Sequence, residues 1–311
     1  MNKTSIEWTD FTWNPIRARN TRANRTGTFC TRISPGCKNC YASVINRRFG
    51  TGLEYDAQEL KHHEFFLSET ILAEPLKRQK PARIFVGDMF DLFHEAIPAE
   101  LIAEVLRVAL KTPRHTFQFL TKRAERMRTL VNRAQEHWGV TFGDHMHFGV
   151  SIEDQKRADE RVPLLLTTKI AVRFLSVEPQ LEAIDLDGED VGTAHALGCG
   201  DPSHRERNDG DCRGVDWVIC GGESGLGARP FNLAWAESLL AQCRAAGVPF
   251  FMKQLGSRPQ VHSCRDESCT HPDCGMEDVR QRDRKGGDPA EWPEALRVRE
   301  FPALKSKAVL A

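Results

Sequence analysis

Thr116-Phe117-Gln118-Phe119-Leu120-Thr121-Lys122-Arg123 sets the pattern for the whole chain. A short run rich in β-branched and aromatic residues reads as a buried strand, and charged residues follow it at once. Residues 122–138 then place Met127, Leu130, Val131 and Ala134 on one helical face. The same unit recurs on both sides. Upstream lie a strand over residues 83–87 and a helix over 98–111, with Leu101, Ile102, Val105, Leu106 and Ala109 on its apolar face. Downstream, strands are expected at 147–151, 172–176, 216–220 and 249–253. Two further helices fall between them. The first, over 154–168, should end or kink at Pro163. The second, over 232–246, starts at a capping Asn232 and stops at Gly247.

Strand–helix alternation about every thirty residues implies a parallel sheet built from β/α units. Six strands are plain and a seventh is expected near the N-terminus. The predicted fold class is α/β, a partial six- or seven-stranded parallel β/α barrel, TIM-barrel-like, with Cys-rich insertions; an open doubly wound sheet fits the alternation equally well. Residues 1–256 form the barrel-like domain, interrupted by a Gly-, Asp- and His-rich insertion at 187–214. Residues 257–290 read as a polar Cys/His-rich insertion, and 291–311 as a closing segment.

The 311 residues are 40% hydrophobic and 28% charged, with no net charge, so a sizeable core is within reach and global disorder is excluded. No apolar run is long enough to span a bilayer, and no export signal opens the chain. The expectation is a cytoplasmic protein with no membrane partner. Charge is unevenly distributed. Between Phe11 and Leu53 there is no Asp or Glu, yet Arg17, Arg19, Arg22, Arg25, Arg32, Lys38, Arg47 and Arg48 all fall there. The Arg17–Arg48 block suits a nucleotide or nucleic acid, balances an anionic metal–thiolate centre, or is a solvated loop.

Ten cysteines in an unexported chain point to metal ligands or core residues before disulfides. Cys220 and Cys243 sit in apolar settings and read as core. Cys30, Cys37 and Cys40 fall in one loop, with a turn at Ser34-Pro35-Gly36. Thiolates bind soft or borderline metals, and a structural zinc takes four ligands. Three cysteines with no fourth ligand nearby favour a 4Fe-4S cluster with one iron left open, zinc being the alternative. Cys264, Cys269, His271 and Cys274 are four soft ligands in a polar stretch, a candidate Zn2+ site that would staple a segment with little core. An auxiliary cluster or a bare loop are its alternatives.

Every one of the six strands ends in charged or glycine-rich residues, where β/α folds place ligands and catalysis. Lys122, Glu153 and Glu178 are the candidate catalytic residues. Asp88, Ser151, Ser176, Gly221, Gly222, Glu223 and Ser224 are the candidate cofactor-binding residues, the glycines allowing close approach to the backbone.

Several strings carry a family likeness. Ile6-Glu7-Trp8-Thr9-Asp10, Thr12-Trp13-Asn14-Pro15, Ser34-Pro35-Gly36-Cys37-Lys38-Asn39-Cys40-Tyr41-Ala42, Leu120-Thr121-Lys122-Arg123, Leu175-Ser176-Val177-Glu178-Pro179 and Gly221-Gly222-Glu223-Ser224-Gly225 resemble the phage-associated three-cysteine-motif family. That family in turn resembles radical S-adenosylmethionine enzymes. The likeness implies that Cys30, Cys37 and Cys40 hold the four-iron cluster, that S-adenosylmethionine chelates its open iron, and that an electron donor reduces it. The cysteine spacing here, six residues then two, is wider than the three then two of those enzymes.

The leading expectation is thus a radical S-adenosylmethionine-like iron–sulfur enzyme acting on an unidentified substrate, with nucleotide or nucleic acid as the candidate class. One rival is a metal-dependent hydrolase whose divalent cation sits on Asp88, Asp91, Glu153, Glu178 and Glu223. The other is a zinc-stabilised, phage-related nucleic-acid-binding protein without catalysis, contacting phosphates through its arginines.

Overall fold

The computed structural model describes residues 1–188, 196–198, 213–262 and 275–303. Along the chain run β1 (Asn2–Lys3), β2 (Phe11–Trp13), β3 (Ile16–Asn20), β4 (Arg25–Gly27), α1 (Tyr41–Phe49), β5 (His63–Leu67), α2 (Glu69–Leu72), α3 (Glu74–Lys77), β6 (Arg83–Val86), α4 (Ala99–Leu110), β7 (Thr116–Thr121), α5 (Ala124–Trp138) and β8 (Met146–Ser151). They continue with α6 (Gln155–Leu166), β9 (Val172–Val177), β10 (Trp217–Gly221), β11 (Phe231–Asn232), α7 (Leu233–Ala246), β12 (Phe250–Gln254), β13 (Pro259–His262) and β14 (Met276–Asp278).

The fold is α/β. Its main sheet has eight strands in the order β1-β2-β6-β7-β8-β9-β10-β12, which corrects the six or seven read from sequence. The seventh parallel strand is β2, paired with β6. The eighth, β1, is antiparallel to β2. Two residues carry no periodicity, so β1 leaves no trace in the pattern. The chain forms two compact units. The first holds Met1–Val150, Thr167–Arg173 and Ala303, and the second holds Ser151–Leu166 and Phe174–Pro302.

In the first unit, β6, β7 and β8 pair in parallel, Phe117 facing both Ile84 and Met146. Their side chains are buried on both faces, which explains why the strands read as near-continuous apolar runs. Phe119 and Phe148 stack at 4.6 Å, and Phe148 stacks on Phe142 at 6.0 Å. A second sheet, β4-β3-β5, is antiparallel and carries Arg17, Arg19 and Arg25 of the basic block. Arg47 and Arg48 lie on α1, whose Tyr41, Val44, Ile45 and Phe49 are exposed.

In the second unit, β10 lies between β9 and β12, parallel to both. α6 runs through Pro163 without ending there. A proline removes one helical hydrogen bond, and the burial of Val162 and Leu165 on either side outweighs that loss. α7 starts as its sequence predicts: Asn232 accepts a hydrogen bond from the Ala234 amide, and Gly247 closes the helix in the left-handed conformation. Beyond it, Met252 donates to Val298 and Glu300 donates to Phe250, so residues 298–300 run along β12. β13 and β14 pair antiparallel beside β11. Among the described residues no helix is long and apolar enough to cross a membrane.

Candidate functional site

The three cysteines belong to the first unit. Cys37 ends a short 3-10 turn, Pro35–Cys37, and Cys40 is the residue from which α1 departs. Cys30 and Cys40 pack against a buried cluster of Ala18, Phe29, Ala42 and Tyr55. All three are free thiols. Burial pushes the Cys30 thiol up to about 12, partly opposed by the Arg123 charge, and burial also raises Cys40. A negative charge at Cys37 would raise both further, so the three sulfurs share one electrostatic neighbourhood. Among the described residues, no three or more His, Cys, Asp or Glu side chains are gathered around a point where a single metal ion would sit.

Residues from two strand ends surround this loop. At the end of β7, Asp91 Oδ1 accepts from the Thr121 hydroxyl at 2.6 Å and the Phe93 amide at 3.0 Å. Asp91 Oδ2 accepts from the Lys122 amide at 3.0 Å and from Arg123 at 3.1 Å. Arg123 in turn reaches the Cys30 sulfur at 3.7 Å. At the end of β6, Asp88 accepts from the Asn14 amide group at 2.7 Å, while burial raises its carboxyl. The Tyr41 hydroxyl, one residue past Cys40, donates to the Asp88 carbonyl at 2.7 Å. The Lys122 charge reaches Cys40. Of the candidates read from sequence, the structure thus brings Asp88 and Lys122 to the cysteine loop.

His94 completes this shell. It is buried, Nδ1 accepts from the Ala96 amide at 3.1 Å, and Nε2 lies 2.9 Å from the Thr31 hydroxyl. A ring accepting at Nδ1 is neutral and donates from Nε2. Burial, with Arg123 adding to it, lowers its pKa from 6.5 to about 4. Below pH 6.5 the unfolded chain takes up a proton that the folded chain refuses, so this contribution to stability is lost as pH falls from 6.5 to about 4. The gap corresponds to roughly 3 kcal/mol. Urea midpoints measured from pH 7.5 to 4.5 should fall in the wild type and fall less steeply in His94→Gln.

The remaining candidates lie in the second unit. Glu153 is fully buried and accepts from Arg161 at 3.0 Å, and Arg161 also donates to the Ser151 carbonyl at 2.6 Å. Ser176 donates to Glu178 at 3.3 Å, and Glu178 pairs with Lys253 at 2.9 Å. A side chain at Gly221 would approach Glu178 Oε1 to 2.8 Å, and one at Gly222 would run into the Leu255 carbonyl. Glu223 is clasped by Arg229 through 3.0 and 2.7 Å bonds, whereas Ser224 is exposed. Cys220 and Cys243 are buried in the core. Cys264, Cys269, His271 and Cys274, with the zinc expected on them, lie outside the described residues.

Sequence reasoning passed over Arg123, His94, Thr31 and Lys253 as site residues. Arg123 adjoins the candidate Lys122 and Lys253 stands at the end of its strand, which was the signal available. Thr31 and His94 carry none, since only the fold brings them together.

Neither a curated protein nor a solved structure matches the chain. A family model does, over residues 3–288. That match covers most of the chain, from the first strands through the cysteine loop to the glycine-rich strand end, so the chain belongs to the family described as "Protein of unknown function (DUF5131)".

Proposed function

We propose that the chain is a radical S-adenosylmethionine-like iron–sulfur enzyme whose cluster is held by Cys30, Cys37 and Cys40. The observation that carries this reading is the shell around the loop: three free thiols, with a buried guanidinium on one sulfur and Asp88 and Lys122 close by. A zinc site needs its ligands about 2.0–2.3 Å from a single point. A cuboidal cluster takes each thiolate on a different iron, so its sulfurs surround the cluster and do not meet at one ion. Parallel strands that follow one another in chain order also suit a partial β/α barrel.

When bound, such a cluster supplies one electron to a sulfonium ligand. The protein's own share is orientation and exclusion of water. Tyr41 and Asn14 fix Asp88 at the edge of the loop. Asp91 fixes the backbone from which the Lys122 side chain departs. In the second unit, Glu178 and Lys253, backed by Ser176, form a charged pair suited to a polar substrate group. The Arg17–Arg48 block favours a phosphate-bearing substrate.

The hydrolase reading is weaker on this geometry. Asp91, Glu153, Glu178 and Glu223 are each paired with Arg123, Arg161, Lys253 and Arg229. A divalent cation would have to displace those partners.

Cysteine variants test the proposal. After anaerobic reconstitution, Cys37→Ala should retain less than about a tenth of wild-type iron and form no 5′-deoxyadenosine from S-adenosylmethionine and dithionite, because a cluster needs all three thiolates. Cys243→Ala should retain both iron and activity. Equal behaviour of the two variants refutes the ligand assignment.

A further inference from the structure

Arg123 is the least ordinary side chain near the loop. Its side chain is 4% exposed. A guanidinium has five N–H donors in a fixed fork, and all five are used. Nε donates to Glu95 at 2.9 Å, and one Nη2 hydrogen goes to the Thr31 carbonyl at 3.3 Å. The other Nη2 hydrogen goes to the Thr31 hydroxyl at 2.9 Å. Nη1 donates to Asp91 at 3.1 Å and to the Cys30 sulfur at 3.7 Å.

Two of the oxygen acceptors are themselves fixed. Asp91 carries four donors, and the Thr31 hydroxyl is also bonded to the buried His94. The guanidinium therefore cannot turn, and its remaining N–H is aimed at sulfur. A neutral thiol is a weak acceptor. An N–H held on sulfur at the cost of a buried charge makes chemical sense when that sulfur carries negative charge, as a metal-bound thiolate does.

We propose that Arg123 is the positioning residue of the three-cysteine centre, holding the Cys30 sulfur in place and donating a hydrogen bond to it that makes the bound cluster easier to reduce. This rests on the cluster reading above. The physical reason is electrostatic: a fixed positive donor on a ligand sulfur stabilises the negative charge that reduction adds, which raises the reduction potential. Arg123 itself transfers nothing. The electron comes from a low-potential one-electron reductant.

The test is a redox titration of the anaerobically reconstituted protein with dithionite, followed by the visible spectrum, for wild type, Arg123→Lys and Arg123→Met. The melting temperature of each is measured alongside. The midpoint should move to more negative potential in Arg123→Met, with Arg123→Lys between, because lysine keeps the charge and loses the fork. A purely structural clamp would lower the melting temperature and leave the midpoint where it was, and that result overturns the proposal. Where Arg123→Met does not fold, Arg123→Lys and Glu95→Gln carry the test, and an unshifted midpoint in both overturns it. Failure of wild type to retain iron refutes the cluster reading and this inference together. An unshifted midpoint on iron-loaded proteins refutes the inference alone.

Discussion

Glu153→Ala should lower the unfolding free energy by about 3–5 kcal/mol, because it strips the partner from a buried guanidinium. Glu153 is fully enclosed, its carboxylate meets Arg161 at 3.0 Å, and its backbone carbonyl accepts from the Leu181 amide at 2.8 Å. Arg161 is only 7% exposed in its side chain, so water cannot replace the lost carboxylate. The cost is the stranded charge rather than the worth of the pair. A double replacement, Glu153→Leu with Arg161→Met, should therefore recover most of the stability. Urea unfolding of the two variants checks both claims. A loss below about 1 kcal/mol in Glu153→Ala would mean the pair is far more hydrated than its burial indicates.

Gly222→Ala should cost about 3 kcal/mol or more, at the upper end of overpacking effects. A Cβ there would run into the Leu255 carbonyl group and sit 3.0 Å from the Phe231 ring. Neither can yield easily. The Gly222 amide donates to the Gln254 carbonyl at 3.0 Å, and the Leu255 amide is held by the Gly286 carbonyl at 2.8 Å. The Gln254 side chain also donates to the Gly222 carbonyl at 2.9 Å. Gly275, with nothing within 4 Å of its would-be Cβ, is the control. Gly275→Ala should stay within about 0.5 kcal/mol of wild type. Comparable losses in both variants would remove the steric explanation.

These two positions show what the sequence makes legible and what it hides. The strands at the centre of the sheet are readable because parallel strands are buried on both faces, so Ile84, Phe117, Phe148, Phe174 and Ile219 announce themselves as apolar runs. Asn232 and Gly247 mark their helix from both ends through local chemistry. The cysteine loop is likewise a local signal. Glu153 is different. At a strand end it has the same appearance as Glu178 and Glu223, yet its partner comes from eight residues along, on α6, and encloses it fully. Solvent access at a strand end depends on what packs over it, and that is not written in the strand. Gly222 reads as room for a ligand, whereas its space is taken by the chain's own backbone. Arg123, His94 and Thr31 meet across more than sixty residues of sequence, a separation at which no pattern rule operates.

The most direct test of the central claim is the metal content and visible spectrum of wild-type protein purified and reconstituted without oxygen. The cluster account predicts about four irons and four sulfides per chain held at the three-cysteine loop, with a broad brown absorption band that bleaches on adding dithionite. A second cluster elsewhere would show as iron that survives Cys37→Ala. Zinc bound stoichiometrically to a colourless protein that retains no iron would contradict the account. Cys30, Cys37 and Cys40 would then be a structural staple, and the enzyme reading would fall with them.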